Sequence, residues 1–478
     1  MSGNSSSGLA AAEAQLQSNA GALRRELGLS DLVLAQILYI IIPEFFGTAA
    51  KAGPFEVALW ILAVAVFFIP EAFLVAHLNR RVPLEGGLYE WARLAFGDSV
   101  GFLVAWNLWL YGVIYMALAG LITTSFIGYA FGPKAAWVAE TKWLVLAASC
   151  VLIVGFVFLA RAGLAIAKWV TNTGAVLTLL VLAALVLAPL FQAHGPVAKL
   201  GRLHLAMPPL SIFTLSVFSK MTFGALCGFE YAAIFAGECR NPERNLARSV
   251  MITAPFIVIF YILGTSAVLH FSSPDAVDVV AAIPQALSLT FHSFGLAKTI
   301  VPLSIMMLLV NYLATFNINF NGCSRLPMVA GWDHLLPAWF TRLHPKHKTP
   351  VNSIFVAGGV AMVASVVALA GVAEQEAFEL LLVCAFTFYA IAYLALFAIP
   401  LLARKQLGIR PAAWLRIAAI SGFVVTLLYI VLSIFPIVDV QSSWKYSIKT
   451  AAVILGANLI GVWLYRWRMK SRNNLASA

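Results

Sequence analysis

Charge is what this sequence has least of: only 11% of its 478 residues are Asp, Glu, Lys or Arg, against roughly a quarter in a soluble domain. A water-exposed surface cannot be built from so few charges. Cysteine is scarce too. Five residues (Cys150, Cys227, Cys239, Cys323 and Cys384) lie scattered, mostly within apolar stretches. They make no close pair of the metal-ligand type and no disulfide framework, so neither a metal nor another cofactor is expected. No Gly-x-x-x-x-Gly-Lys-Ser/Thr segment occurs, which excludes direct drive by ATP. No Ser/His, paired-Asp or His-Glu-x-x-His arrangement falls within the apolar segments, which argues against an intramembrane enzyme. The first 20 residues lack an apolar core, so they read as a disordered tail and not as a cleavable signal.

What is abundant is apolar side chain, 62% of the chain. A bilayer core demands about 20 apolar residues per helix, because nothing there but the helix itself satisfies backbone groups. Such stretches fall at about 31–52, 57–79, 99–131, 143–160, 164–190 and 211–237. They recur at 249–271, 296–321, 350–371, 377–403, 414–436 and 446–467. The chain thus reads as an all-α, polytopic membrane protein with twelve transmembrane helices and no independent soluble domain. Its basic excess, 31 Lys and Arg against 20 Asp and Glu, follows from topology and not from nucleic acid. With the N-terminus inside, 22 of these basic residues fall in cytoplasmic segments and eight in outside loops, Lys220 alone lying within a span. That bias places both termini in the cytoplasm of a cell (plasma or inner) membrane.

Two spans carry groups that a bilayer tolerates poorly. Span 1 holds Pro43, Glu44 and Phe45 near its middle, and span 6 holds Gly224, then Gly228, Phe229 and Glu230. Proline removes a helix hydrogen bond, and a mid-membrane carboxylate costs about 2.5 kcal/mol or more. Interrupted helices five spans apart are the pattern of an inverted-repeat transporter whose site lies at the breaks. The plainer alternative is a proline kink and a packing glycine. Elsewhere, Tyr111 and Tyr115 share a face of span 3, and Asn317 and Asn321 share a face of span 8. These line a cavity or serve as packing and interhelical glue. Glu71 is expected to pair with Arg or backbone groups at the cytoplasmic end of span 2, and Lys220 to snorkel at the outer end of span 6.

Three groups of residues resemble one family. They are Arg325-Leu326-Pro327 with Leu336-Pro337, His344-Pro345 and Thr349-Pro350; Gly228-Phe229-Glu230 with Ala236-Gly237-Glu238 and Asn241-Pro242; and Pro70-Glu71 with Glu85-Gly86-Gly87, Tyr89 and Ala95-Phe96-Gly97. In order and spacing they look like the amino acid–polyamine–organocation permeases, over roughly residues 25–440. The resemblance implies a LeuT-type fold of five plus five inverted repeats with two extra helices. It divides the chain into a cytoplasmic tail (1–28), a transport core (29–404, repeats about 29–190 and 211–404), helices 11 and 12 (405–468) and a C-terminal tail (469–478). It also implies a secondary transporter that moves amino acids, polyamines or related amines by alternating access, coupled to H+, Na+ or exchange. Its substrate-binding residues would be Pro43, Glu44, Phe45, Tyr111, Tyr115, Gly228, Phe229, Glu230 and Asn317, with Phe229 as a gate. A transport-fold nutrient sensor and a permease for neutral amino acids are the alternatives.

The departures favour amines. Family members that bind α-amino acids carry a small-residue triplet in span 1 whose N–H groups hold the carboxylate. Here that position falls near Leu38-Tyr39-Ile40, which is bulky. The plant-type polyamine permeases also lack the triplet, and their helix 5 begins like Gly163-Leu164-Ala165-Ile166. The deep lysine that some proton-coupled relatives carry in helix 5 is replaced by about Thr178.

Overall fold

Long apolar runs become helices that saturate their own backbone, and among the described residues of the computed structural model eleven helices are long and apolar enough to cross a membrane. They are Gly53–Arg81, Asp98–Phe131, Lys142–Ala162, Leu164–Leu190, Ile212–Glu238, Pro242–Phe271, Ala297–Trp332, Val351–Leu369, Glu376–Leu402, Ala413–Ser433 and Trp444–Ser471. A bent pair, Leu29–Ile40 and Glu44–Ala50, turns by 48° at its break. Counted as span 1, it brings the total to twelve, each overlapping one read from hydropathy. The structure describes residues 18, 21, 23–191, 209–278, 281–292, 295, 297–369, 374–402, 412–435 and 442–476. Among these no β-strand forms. Most of the tail at 1–28, and the loop residues Lys199, Arg202, Arg404, Lys405 and Arg410, lie outside the described residues.

An even number of crossings puts the first and last described residues on one face, hereafter the terminal face. Residues just ahead of span 1 are held there: the N–H groups of Glu26 and Leu27 donate to Glu238 O, at 2.9 and 3.1 Å. The final helix, Ser443–Ala476, runs on through most of the stretch read as a C-terminal tail.

The packing repeats with a shift of five. Span 5 lies along span 8, and span 3 along span 10; exchanging each span for its counterpart five away (5 for 10, 8 for 3) turns one pair into the other. A short helix, Leu88–Phe96, follows span 2 on the terminal face, and Ala282–His292 follows span 7 on the opposite face. Matching elements on opposite faces are what an inverted repeat produces. Small residues allow the closest approaches. A Cβ on Gly174 of span 5 would fall 2.2 Å from Ala314 of span 8, so these backbones meet without intervening side chains.

Candidate functional site

The break in span 1 spans Ile41 and Ile42, with Ile41 extended (φ −81°, ψ 96°) and Pro43 opening the next helix. Proline offers no N–H and forbids the helical bond back across it, which leaves backbone groups orphaned in the protein core. Tyr261 of span 7 takes their place. Its hydroxyl donates to Ile40 O at 2.9 Å and accepts the Ile42 N–H at 3.1 Å. One tyrosine thus splices the interrupted helix from the side.

Span 6 breaks differently. An ordinary helix (Ile212–Ser219) loosens into a π-turn at Lys220–Gly224, and a tighter 3-10 segment resumes at Phe229–Glu238. Gly228 sits between them at φ +131°, ψ 0°, a conformation open to glycine and strained for any L side chain. Its freed N–H donates to Glu71 Oε1 at 3.1 Å and to Tyr393 Oη at 2.7 Å. The Phe229 N–H also reaches Glu71 Oε1, at 3.1 Å. Tyr393 Oη lies 2.8 Å from Glu71 Oε1 and in close contact with Glu230 Oε2, while the Tyr389 hydroxyl donates to Glu230 Oε1 at 2.5 Å. Glu71 therefore pairs with backbone groups, as the sequence suggests, but within the core and not at the terminal end of span 2. It caps the break of span 6, fully buried.

Between the two breaks stand four tyrosines from four spans. Tyr39 stacks on Tyr231 and Tyr111 on Tyr389, each pair at 4.3 Å between ring centres. Across the pairs the rings meet edge-on at 6.4 Å. This is a preferred arrangement of aromatic quadrupoles, and all four rings are buried. On its terminal side lies a small cavity of about 40 Å³, lined by Gln36, Tyr39, Asn172, Gly228, Tyr231 and Asn317. On the other side opens a chamber of about 480 Å³, whose walls include Glu44, Phe45, Lys51, Lys220, Asp275 and Phe386.

The structure thus distributes the residues singled out by sequence. Tyr111 belongs to the quartet, with Tyr115 beside it and against Phe316. Gly228 and Asn317 line the terminal-side cavity. Asn317 also bonds Ala167 O and Thr171 of span 5, so it joins helices as well. Glu44 and Phe45, following Pro43, face the opposite chamber. Glu230 lines neither space; it is held behind the quartet by Tyr389 and Tyr393. No cavity brings Glu44 and Glu230 together among the described residues. Phe229 packs on Phe68 at 5.0 Å, turned towards span 2. Lys220 is half-buried in the chamber wall near Glu379. Sequence reasoning missed Tyr231 and Tyr261 and took Tyr39 only as an obstruction. The one signal available was the presence of tyrosine hydroxyls within apolar spans.

The terminal face is closed by charge. Arg325, fully buried, grips both oxygens of Glu238 and donates to Asn321 O at 2.6 Å. Beside them Glu85, in the loop after span 2, accepts the Gly237 N–H at 2.6 Å. Burial pushes the Glu85 carboxyl well above the usual range, and Glu238 adds to the rise against the pull of Arg325. A second cluster joins Arg93 to Glu90 at 2.9 Å and to Asp333 at 3.0 Å, with the Tyr89 hydroxyl on Asp333 at 2.5 Å. These contacts tie the loop after span 2 to the end of span 6 and the loop after span 8.

A comparison with protein families matches residues 29–458 to the amino acid permease family. Among curated relatives, an uncharacterized transporter of Legionella pneumophila is 27% identical over 72% of this chain and 74% of its own length. A branched-chain amino acid permease of Bacillus subtilis is 25% identical over 69% and 71%. A probable agmatine/putrescine antiporter of Lactococcus lactis is 24% identical over 50% and 51%. With its membrane-spanning helices and a match over most of its length, the chain belongs to the amino acid permease family and is a transporter, not an enzyme.

Proposed function

We propose that this permease carries amine-bearing solutes by alternating access, with the ammonium group taken against the tyrosine quartet and Glu230. The observation that carries the reading is the quartet itself. It stands between two spaces that lie towards opposite faces and is built from both broken helices plus spans 3 and 10. Tyrosine faces attract cations, by about 0.5–2 kcal/mol each depending on desolvation. The carboxyl of Glu230 lies directly behind, touched by Tyr389. Bulky Leu38, Tyr39 and Ile40 occupy the stretch of span 1 that would otherwise offer N–H groups to a carboxylate, all three buried. Relatives named for agmatine/putrescine and for branched-chain amino acids bracket the choice, and the charge at the site favours the amines. The Lys/Arg bias supports a cytoplasmic terminal face, so the ionic clusters there would form the inner gate.

Uptake of radiolabelled putrescine, agmatine and leucine into proteoliposomes tests the proposal. Saturable uptake of an amine, lost in Glu230→Gln, is the expected result. Saturable leucine uptake with no amine competition would replace it with the neutral amino acid reading.

A further inference from the structure

Proton counting at the span 6 break gives a further result. Tyr393 Oη owns one hydrogen and two lone pairs. Three polar atoms surround it: the Gly228 N–H, Glu71 Oε1 and Glu230 Oε2. The amide occupies one lone pair. One hydrogen and one lone pair then remain for two carboxyl groups, so one of those groups must itself donate. Glu71 Oε1 accepts the Phe229 N–H and only shares the Gly228 N–H, whose shorter bond is to Tyr393, so an acceptor site on Oε1 remains for the Tyr393 hydrogen. The donor is therefore Glu230, through Oε2. Neither carboxyl makes an ion pair among the described residues. The titratable groups facing them are Tyr389 and Tyr393 of span 10, Cys227 of span 6 and, further off, the tyrosines of the quartet. Two carboxylates in one buried place cannot both ionise cheaply, which agrees with the count.

We infer that Glu230, Tyr393 and Glu71 form a proton relay that ties solute occupancy to the backbone at the span 6 break. In the resting state the chain runs Glu230 Oε2–H to Tyr393 Oη and Tyr393 Oη–H to Glu71 Oε1. An ammonium group settling against Glu230 stabilises its carboxylate. The Oε2–H bond then breaks as a new Oη–H bond forms, and the original Oη–H bond breaks as Glu71 Oε1–H forms. No charge leaves and none enters except the ammonium. Protonated Glu71 is a neutral acceptor, and bonds to it lack the charge assistance of a carboxylate, so its hold on the Gly228 and Phe229 amides weakens. Occupancy at one end is thereby converted into release of the helix at the other. Glu71 is a positioning residue in this scheme, since it touches the break and not the solute.

The coupling step rests on the amine reading above; the resting proton does not, and infrared spectroscopy of the full-length protein separates them. Without solute, the wild type should show a protonated-carboxyl C=O band that Glu230→Gln removes and Glu71→Gln leaves. Adding putrescine should bleach that band and raise a second one, absent in Glu71→Gln and in Tyr393→Phe but present in Glu71→Asp. A solute-free spectrum unchanged by Glu230→Gln overturns the proton assignment. Putrescine binding by calorimetry with no paired band change overturns the relay while leaving the amine reading intact. A Glu230 band in a protein that binds no amine upholds the resting proton and overturns the coupling.

Discussion

Replacing Gly228 by alanine is the most direct trial of the geometry at the breaks. The backbone there is at φ +131° and ψ 0°, and forcing an L residue into such a region costs about 1–3 kcal/mol. The added Cβ would also lie 2.8 and 2.9 Å from two ring carbons of Tyr39 and 3.1 Å from Ile40 Cγ1. Tyr39 has little room to retreat, because it is stacked on Tyr231 at 4.3 Å and meets Tyr111 and Tyr389 edge-on. Overpacking of that kind adds about 1–3 kcal/mol. Together the two terms disfavour this arrangement of the break by about 2–6 kcal/mol, and at 1.4 kcal/mol per tenfold they shift its population by about 30-fold or more. Uptake in proteoliposomes should fall by at least about tenfold, with protein still inserted and extractable in detergent. Gly155→Ala and Gly359→Ala are the controls, since a Cβ at either meets nothing within 4 Å. If Gly228→Ala transports as well as these controls, the break does not require glycine and the site has been placed wrongly.

Tyr261→Phe removes both hydrogen bonds that splice span 1; each orphaned group costs about 1–3 kcal/mol, so thermal unfolding in detergent should shift downward by several degrees, and an unchanged Tm would show that the break needs no splice. At Glu85 the folded carboxyl lies above its unfolded value of about 4.3. The folded chain therefore holds a proton that the unfolded chain has lost, and this contribution to stability, full below about pH 4.3, declines as pH rises through the folded value. Glu85→Gln removes that decline, so its Tm advantage over wild type should widen from acid to alkaline pH; a constant gap would contradict the burial of Glu85 beside Glu238. Finally, single cysteines at Lys346 and Asp275 should differ in intact cells, with only Asp275→Cys labelled by a membrane-impermeant thiol reagent; equal labelling overturns the orientation drawn from the Lys/Arg bias.

The twelve crossings were legible because hydropathy acts over some 20 residues and needs no partner. Both breaks were legible for a similar reason: Pro43 and the Gly224–Gly228 stretch impose their effect on their own backbone. What required the structure was everything assembled from distant spans. Tyr39, Tyr111, Tyr231 and Tyr389 share no spacing in the chain, yet their rings meet within 6.4 Å. Tyr261 and Glu71 repair breaks in helices to which they do not belong. Their roles depend on which backbone groups are left bare, and that is set by the fold.

The expectation that Glu44 and Glu230 share a cavity failed on direction. Each follows its break by one or two residues, which invites the view that they are equivalent. In an inverted repeat, equivalence has the opposite consequence. The helix that begins at Glu44 leads away from the terminal face, and the 3-10 segment that begins at Phe229 leads towards it. A carboxylate placed just after each break is therefore carried away from its counterpart. Glu44 meets the open chamber beside Lys51 and Phe45, and Glu230 meets Tyr389, Tyr393 and, through them, Glu71. A residue before one break and a residue after the other behave in the reverse way. Tyr39 precedes the break of span 1, Tyr231 follows that of span 6, and the two converge from the same side until their rings stack. The candidate site is thus composed of positions that are unlike in the two repeats, and a search for like positions finds the breaks while missing the contacts between them.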